Sequence, residues 1–280
     1  MNKKLAILLA TYNGERYLQE QIDSLFRQTY KDWVLYIHDD GSTDATPRII
    51  SDNAKMHDNI VVMEHAGGHG AKENFFGMLR RVEADYYMFC DQDDVWLENK
   101  VELSMKRMQE LENRINNCDV PIIVHSDLFV VDERLNVVND SFWRFVGINP
   151  DYLTKFERLS AVSLTTGCTM LINNRAKTTA FGFPYDKACM HDAWITACTM
   201  KAGGIVSGIS TPLIYYRQHS DNCIGASEAH PFNIVFLFRH IKELYKSNRK
   251  TSRMFKSLGC PLHVYLYNKI MYWIKNKRLN

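Results

Sequence analysis

The sequence predicts an α/β fold, a mostly parallel central sheet flanked by helices, with a helical extension at the C-terminus. Three observations carry this. Short continuous apolar runs (5–10, 33–37, 60–63 and 86–90) alternate with longer stretches whose apolar residues recur at helical spacing. A run that is apolar at every position suits a strand buried on both faces, and right-handed βαβ units deliver such strands side by side. The first, second and fourth runs end in polar turns, the latter two rich in acids, and in open parallel sheets ligands bind beyond the carboxyl ends of the strands.

Taken in order, Leu5-Ala-Ile-Leu-Leu-Ala10 is the first strand and Thr11-Tyr12-Asn13-Gly14 a turn. From Glu15 to Gln28, Tyr17, Leu18, Ile22, Leu25 and Phe26 form the stripe of an amphipathic helix. The second strand, Trp33 to Ile37, runs into His38-Asp39-Asp40-Gly41-Ser42-Thr43-Asp44. There Asp44 is a candidate helix cap, with Pro47 near the first turn. Ile60 to Met63 is the third strand, and a Gly-rich loop over 66–71 precedes a helix over 72–81. The fourth strand, Tyr86 to Cys90, ends abruptly in Asp91-Gln92-Asp93-Asp94. The second half reads as a helix from Glu98 to about Asn113, a strand over 121–125 and a hairpin over 130–138. An apolar run over 164–172, a helix opening at His191 and two strands over 205–209 and 213–216 follow.

At 280 residues, 46% apolar and 24% charged, the chain is long enough for one large domain and is ordinary for a folded protein. Its net charge of +2 is unevenly spread. Arg239 to Asn280 holds eleven Lys/Arg against one acid, so the first 238 residues sum to −8. That asymmetry points the tail toward an anionic partner. In the tail, Val264, Tyr267, Ile270, Met271 and Ile274 fall on one helical stripe, with Lys269, Lys275, Lys277 and Arg278 supplying charge. A basic amphipathic helix of this kind reads as a membrane-surface segment; the alternative is a helix packed on the domain or on a second subunit. No nucleic-acid fold signature accompanies it, so nucleic acid is not expected. The seven cysteines show no zinc spacing and fit buried thiols in a reducing compartment. No segment approaches the ~20 apolar residues of a membrane span, and the expectation is a cytoplasmic protein, peripheral at most on the inner face of the membrane. The expected boundaries are 1–228 for the main domain, in halves of 1–97 and 98–228, and 229–280 for the basic aromatic extension.

The acidic turns carry the chemistry. Asp91 and Asp93 are two residues apart at a strand end and share a face if the chain stays extended. Two convergent carboxylates suit a hard divalent cation that keeps positions open for phosphate oxygens. Read alone, Asp93 or Asp94 is equally a helix cap, as are Asp39 and Asp40. Three polar clusters at one sheet edge (11–15, 39–44 and 91–94) favour a site. Asp192, in the first turn of its helix, is the candidate base, against the alternative that it only caps the helix.

Six segments, in order and spanning roughly residues 4 to 225, resemble the family 2 glycosyltransferases and, within them, the bacterial rhamnosyltransferase-like group. They are Ala10-Thr-Tyr-Asn-Gly14, Asp39-Asp-Gly-Ser-Thr-Asp44, Cys90-Asp-Gln-Asp-Asp-Val-Trp96, Thr166-Gly-Cys-Thr-Met170, His191-Asp-Ala-Trp194 and Tyr216-Arg-Gln-His219. The resemblance implies a GT-A fold with a Rossmann-like sheet. It places the nucleobase by Thr11, Tyr12, Asn13 and Asp39, and the ribose near Glu15, Asp40 and Asp91. Gln92 and Lys72 join the donor set. The resemblance further implies that Asp93, with His219 as a late ligand, holds Mg²⁺ or Mn²⁺ across the diphosphate, and that Asp192 is the catalytic base. Trp96, Gly167, Cys168, His191 and Trp194 are candidates for the sugar and acceptor side, the two tryptophans being equally readable as core. His191 stands where many relatives carry a second acid, and no Gln-x-x-Arg-Trp segment of a processive synthase occurs.

The expected activity is thus an inverting, metal-dependent, non-processive transfer of one sugar from a dTDP- or UDP-linked donor to a glycan or lipid-linked acceptor in surface polysaccharide synthesis. A homodimer is a candidate assembly. The rival readings are a non-catalytic sugar-nucleotide-binding subunit and a sugar-nucleotide pyrophosphorylase. The latter places a Gly-rich, basic loop after the first strand, where this chain has Ala10-Thr-Tyr-Asn-Gly14.

Overall fold

The computed structural model describes residues 4–64, 69–115, 119–219 and 248–276. The strands are β1 (Leu5–Thr11), β2 (Trp33–Asp39), β3 (Ile60–Met63), β4 (Tyr86–Cys90), β5 (Val95–Trp96), β6 (Ile122–Val131), β7 (Val137–Asn139), β8 (Met170–Asn173) and β9 (Ile205–Arg217). They form one sheet in the order β3-β2-β1-β4-β8-β6-β9-β5, with β7 paired to β6. The helices are α1 (Leu18–Phe26), α2 (Thr46–Met56), α3 (Ala71–Arg81), α4 (Lys100–Ile115), α5 (Phe142–Val146), α6 (Asn174–Phe181), α7 (His191–Lys201), α8 (248–257 among the described residues) and α9 (Leu262–Asn276).

The first four strands are parallel, as the apolar runs predict: β1 pairs with β2 and β4, and β2 with β3. Side chains alternate across this half. Ala6, Leu8, Tyr87 and Phe89 point into one core with Phe75, Trp194 and Phe255. Leu5, Ile7, Leu9, Met88 and Cys90 point into the other with Ile22, Leu25, Trp96 and Met105. Both cores are sealed, and each large apolar side chain that is fully buried in them contributes about 1.5–3 kcal/mol. The other half is mixed. β8 runs antiparallel between β4 and β6, whereas β9 runs parallel to β6.

Where two strands were expected over 205–216, the protein has one, β9, 13 residues long. The sequence breaks at Ser210-Thr211-Pro212 because the β6 pairing slips there, opposite Ser126 and Asp127. A proline survives in a strand at such an irregularity, where no ladder hydrogen bond is lost. Buried Asp127 closes the slip by accepting from Ser141 Oγ (2.5 Å), Trp143 N (3.1 Å) and Leu128 N (2.8 Å). The hairpin expected over 130–138 is the antiparallel pairing of β6 and β7.

The tail helices lie on the first core. Met254 and Phe255 of α8, Leu258 just after it, and Tyr265 and Tyr272 of α9 are buried there. Of the expected apolar stripe on α9, Val264 packs on that core, whereas Tyr267, Ile270 and Ile274 are exposed together with Leu262 and Leu266. The aromatic stretch expected to be helical over 232–245, along with Lys277 and Arg278, lies outside the described residues.

Candidate active site

The ends of β1, β2 and β4 converge on one edge of the sheet, and each turn is fixed by the next. After β1, Asn13 adopts φ +46° and its Oδ1 accepts from Thr43 N at 2.9 Å, while Asn13 N donates to Ser42 Oγ at 2.8 Å. Glu15 Oε2 accepts from Ala45 N at 2.8 Å, and Asp44 accepts from the backbone N–H groups of Glu15 (3.0 Å) and Thr46 (2.9 Å). Asn13 and Glu15 are therefore spent on stitching the first turn to the second. Asp44, expected as a cap, satisfies the first N–H of α2, with Pro47 beside it.

Asp39 accepts from Ser42 N (3.2 Å) and Ser42 Oγ (2.5 Å), which closes its own turn. Asp40 is buried and accepts from Gly70 N at 2.7 Å, with His69 Nδ1 at 2.9 Å, so the loop before α3 folds down onto it. Burial opposes the charge on Asp40, but these hydrogen bonds and the neighbouring imidazole hold its pKa below the ordinary carboxylate value. Lys72 pairs with its neighbour Glu73 at 2.8 Å.

Gln92 is the clamp of the first turn. Its Oε1 accepts from Thr11 Oγ1 (2.6 Å) and Tyr12 N (2.8 Å), and its Nε2 donates to Tyr12 O (3.1 Å). Gly14 makes this possible, since a Cβ there would sit 2.4 Å from Gln92 Oε1. The ring of Tyr12 is left exposed.

The acidic turn after β4 gathers three carboxylates, those of Asp91, Asp93 and Asp94. Asp93 Oδ2 lies 2.8 Å from His219 Nε2, a pair joined from opposite ends of the domain. The ring of Tyr17 rests 5.0 Å from that imidazole. Asp91 is pushed up to about 7 by burial, then by the charges of Asp93 and Asp192. The carboxylate expected to act as base therefore lies within electrostatic reach of the acidic turn. Ligand atoms of Asp91, Asp94 and Cys168 fall within 4.8 Å of one another. Burial drives the Cys168 thiol well above its usual range, so it stays protonated and is a poor ligand for a hard cation. A carboxylate and imidazole pair with a further carboxylate beside it is a donor set that Mg²⁺ or Mn²⁺ accepts, so Asp93 and His219, with Asp91 adjacent, are the residues that would hold the ion.

Arg217 organises this corner and was not singled out from the sequence. It is 2% exposed and donates to Asp93 O (2.8 Å), Glu133 O (2.5 Å) and Glu20 Oε2 (2.5 Å), while its backbone N–H reaches Asp94 Oδ1 (3.3 Å). Its guanidinium also lies 4.5 Å from the Tyr17 ring centre. One side chain thereby ties the acidic turn, the β6–β7 hairpin and α1 to the strand that delivers His219.

Across the edge, α7 presents Asp192 in its first turn. Met190, not Asp192, is the N-cap residue. The Asp192 carboxylate accepts from Ala193 N (2.6 Å) and Gly167 N (3.1 Å). Burial outweighs these bonds and lifts its pKa to about 6. Gly167 is required by space: a Cβ would sit 2.6 Å from His191 Nε2. His191 is 4% exposed and wedged against Phe75 (4.3 Å) and Phe89 (4.9 Å), and burial lowers it to about 3, so it is neutral.

Both candidate platform tryptophans are core. Trp194 is 0% exposed and donates to Ala180 O at 3.0 Å, locking α7 to α6. Trp96 is 1% exposed, under the ammonium of buried Lys100, 3.3 Å from the ring centre. Neither ring has a face open to a sugar, which corrects the platform reading.

Comparison with known proteins identifies the family and the fold. The family model described as "Glycosyl transferase family 2" matches residues 6–176. The dTDP-rhamnosyl transferase RfbG of Shigella flexneri is 26% identical over 232 residues, covering 78% of this chain and 74% of that protein. The Escherichia coli UDP-Glc:alpha-D-GlcNAc-diphosphoundecaprenol beta-1,3-glucosyltransferase WfgD is 25% identical over 181 residues, covering 65% of this chain and 64% of that protein. The solved mannosyltransferase PcManGT of Pyrobaculum calidifontis, in complex with GDP-Man and Mn²⁺, superposes with a TM-score of 0.55 at 16% identity, covering 99% of this chain and 74% of that one. At that identity it shows a shared GT-A fold and no more. Among the described residues no helix is long and apolar enough to cross a membrane.

Proposed function

The chain belongs to glycosyl transferase family 2, and from that premise we propose that it is an inverting, metal-dependent, non-processive glycosyltransferase. It moves one sugar from a nucleoside diphosphate donor to a glycan or lipid-linked oligosaccharide in surface polysaccharide synthesis. The observation that carries this reading is the Asp93–His219 pair, 2.8 Å apart at the acidic turn, with a further carboxylate, Asp192, fixed by Gly167 N at 3.1 Å. One side is built for a phosphate-bound cation and the other is a lone carboxylate poised to take a proton.

In this reading Asp93 and His219 would hold Mg²⁺ or Mn²⁺, which would supply positive charge to offset that of the departing diphosphate. The turns 11–15 and 39–44 receive the nucleoside. Asp192, ionised above about pH 6, takes the proton from the acceptor hydroxyl as that oxygen attacks the anomeric carbon and the bond to the diphosphate breaks. A single base opposite the leaving group gives one displacement and inversion. The names of the rhamnosyl and glucosyl transferases above support a dTDP-rhamnose or UDP-hexose donor, and the second supports an acceptor carried on a lipid diphosphate. That acceptor would bring the protein to the cytoplasmic face of a membrane.

Asp192→Asn tests the assignment. The amide keeps the size of the side chain and loses the base. We expect donor affinity, read by calorimetry with the nucleotide sugar and Mn²⁺, to be retained while transfer falls by ~10²-fold or more. Unchanged turnover would remove Asp192 from the mechanism and favour a binding subunit or a different base.

A further inference from the structure

A cavity of about 230 Å³ is walled by residues 159–164, α7, α8 and α9. Its walls are mixed. Leu159, Met254 and Phe255 are apolar, Thr196 and Thr251 carry hydroxyls, and Lys269 is the one lysine among the lining residues. None of those lining residues is acidic. Lys269 is half-buried, and its ammonium makes a long 3.4 Å hydrogen bond to Ala161 O. Burial lowers its pKa, and the Tyr265 ring centre lies 5.5 Å from the ammonium. Two more cations act on the same wall: burial raises the Cys189 thiol, and the ammonium groups of Lys250 and Lys72 work against that rise.

The cavity adjoins the proposed base. Thr196 follows Asp192 by four residues and so shares its helix face, about one turn, ~6 Å, along the axis. That step is comparable with the width of one pyranose ring. The volume is below the ~300–1,000 Å³ of pockets that enclose a whole drug-sized ligand, which suits a compact charged group with an apolar continuation. Helical geometry supplies the continuation. At 100° per residue, Lys269 stands between the buried face of α9 (Tyr265, Tyr272) and its exposed apolar face (Leu262, Leu266, Ile270, Ile274).

We propose that this cavity is the acceptor's phosphoryl site: Lys269 holds a phosphate or diphosphate that links the acceptor sugar to an isoprenoid-type lipid, with that sugar's hydroxyl reaching Asp192. The inference rests on the glycosyltransferase reading and names its acceptor class. A positive cavity one ring-width from the base anchors the end of the acceptor that does not react, and the apolar face of α9 meets the lipid that follows.

The test is calorimetry with farnesyl diphosphate on the full chain in EDTA, so that no metal recruits phosphate to Asp93 and His219. Binding should weaken ~10-fold or more in Lys269→Gln and be largely kept in Lys269→Arg. Inorganic pyrophosphate should bind more weakly than farnesyl diphosphate and through the same lysine. Val162→Phe, which enlarges a lining residue and keeps the lysine, should also abolish binding while leaving the unfolding midpoint near wild type, and it serves if Lys269→Gln fails to fold. Farnesyl diphosphate binding that ignores both substitutions overturns the proposal. Phosphatidylglycerol vesicles that displace farnesyl diphosphate with the same Lys269 dependence also overturn it, making the lysine a membrane head-group contact. Wild-type donor hydrolysis with Mn²⁺, run alongside, separates the two levels. If hydrolysis is present and Lys269 is irrelevant, only the cavity assignment falls; if hydrolysis is absent for every nucleotide sugar, the underlying reading falls.

Discussion

Replacing Arg217 with Met should weaken metal binding and folding together, and the structure sets the size of both effects. The substitution keeps the aliphatic stem and removes the guanidinium. Three contacts go: Asp93 O at 2.8 Å, Glu133 O at 2.5 Å and Glu20 Oε2 at 2.5 Å. Glu20 is half exposed and regains water at little cost. The two carbonyls lose a charged donor, each such bond being worth about 1.5–3 kcal/mol, and water entry recovers part of it. A net loss of about 3–4 kcal/mol in a urea titration follows. The second consequence is specific to the site. Arg217 holds the backbone of Asp93 and lies two residues before His219, so the 2.8 Å approach of those side chains depends on it. Removing a group that orients metal ligands costs about 10–100-fold in affinity, and we expect that loss in a Mn²⁺ titration with nucleoside diphosphate present. Arg217→Lys should recover charge but not the three-way fork, leaving affinity between the two. Reduced stability with unchanged metal affinity would refute the reasoning and make Arg217 a structural strut alone.

Three further outcomes follow from the site. Burial lifts Asp192 to about 6, so kcat/KM should climb with pH and level off above about pH 6; a profile flat from pH 5 to 7 would count against Asp192 as base. Because that folded pKa lies above the ordinary value of 3.8, the stability linked to Asp192 is present below about pH 4 and lost as pH rises through about 6, which chemical denaturation across that window reads directly. Gly167→Ala forces a Cβ to within 2.6 Å of His191 Nε2. His191 is wedged between two phenylalanines, so overpacking should cost about 1–3 kcal/mol and depress turnover more than donor affinity, through the Asp192 hydrogen bond to Gly167 N.

The parallel half of the sheet was legible because its strands are buried on both faces, and Leu5 to Leu9 therefore show unbroken apolarity. The second half was harder to read for physical reasons. β9 looks like two strands because Pro212 sits at a register slip that only its partner β6 defines. α6 carries Arg175, Lys177, Thr178 and Thr179 with little apolar periodicity, so it was missed. Its one local signal is Asn173, whose side chain caps Ala176 N. In the site, Asp93 and His219 were nominated by segment order, yet Arg217 escaped notice although it lies in the same segment. Its partners Glu20 and Glu133 are distant in sequence, and no local pattern records such a contact. Gln92 is similar: next to two aspartates it reads as a ligand contact, whereas its amide is spent on Thr11 and Tyr12. Trp96 and Trp194 show the converse limit, since a tryptophan beside an acidic motif gives no sign of which way its ring faces.

The most direct test of the central claim is a thermal-shift and donor-hydrolysis panel of dTDP- and UDP-linked sugars, each with and without Mn²⁺ or Mg²⁺. The account predicts that one donor raises the unfolding temperature and is slowly hydrolysed, both only with metal, and that Asp93→Asn abolishes both. Stabilisation and hydrolysis that persist in EDTA, or that survive Asp93→Asn, would contradict it.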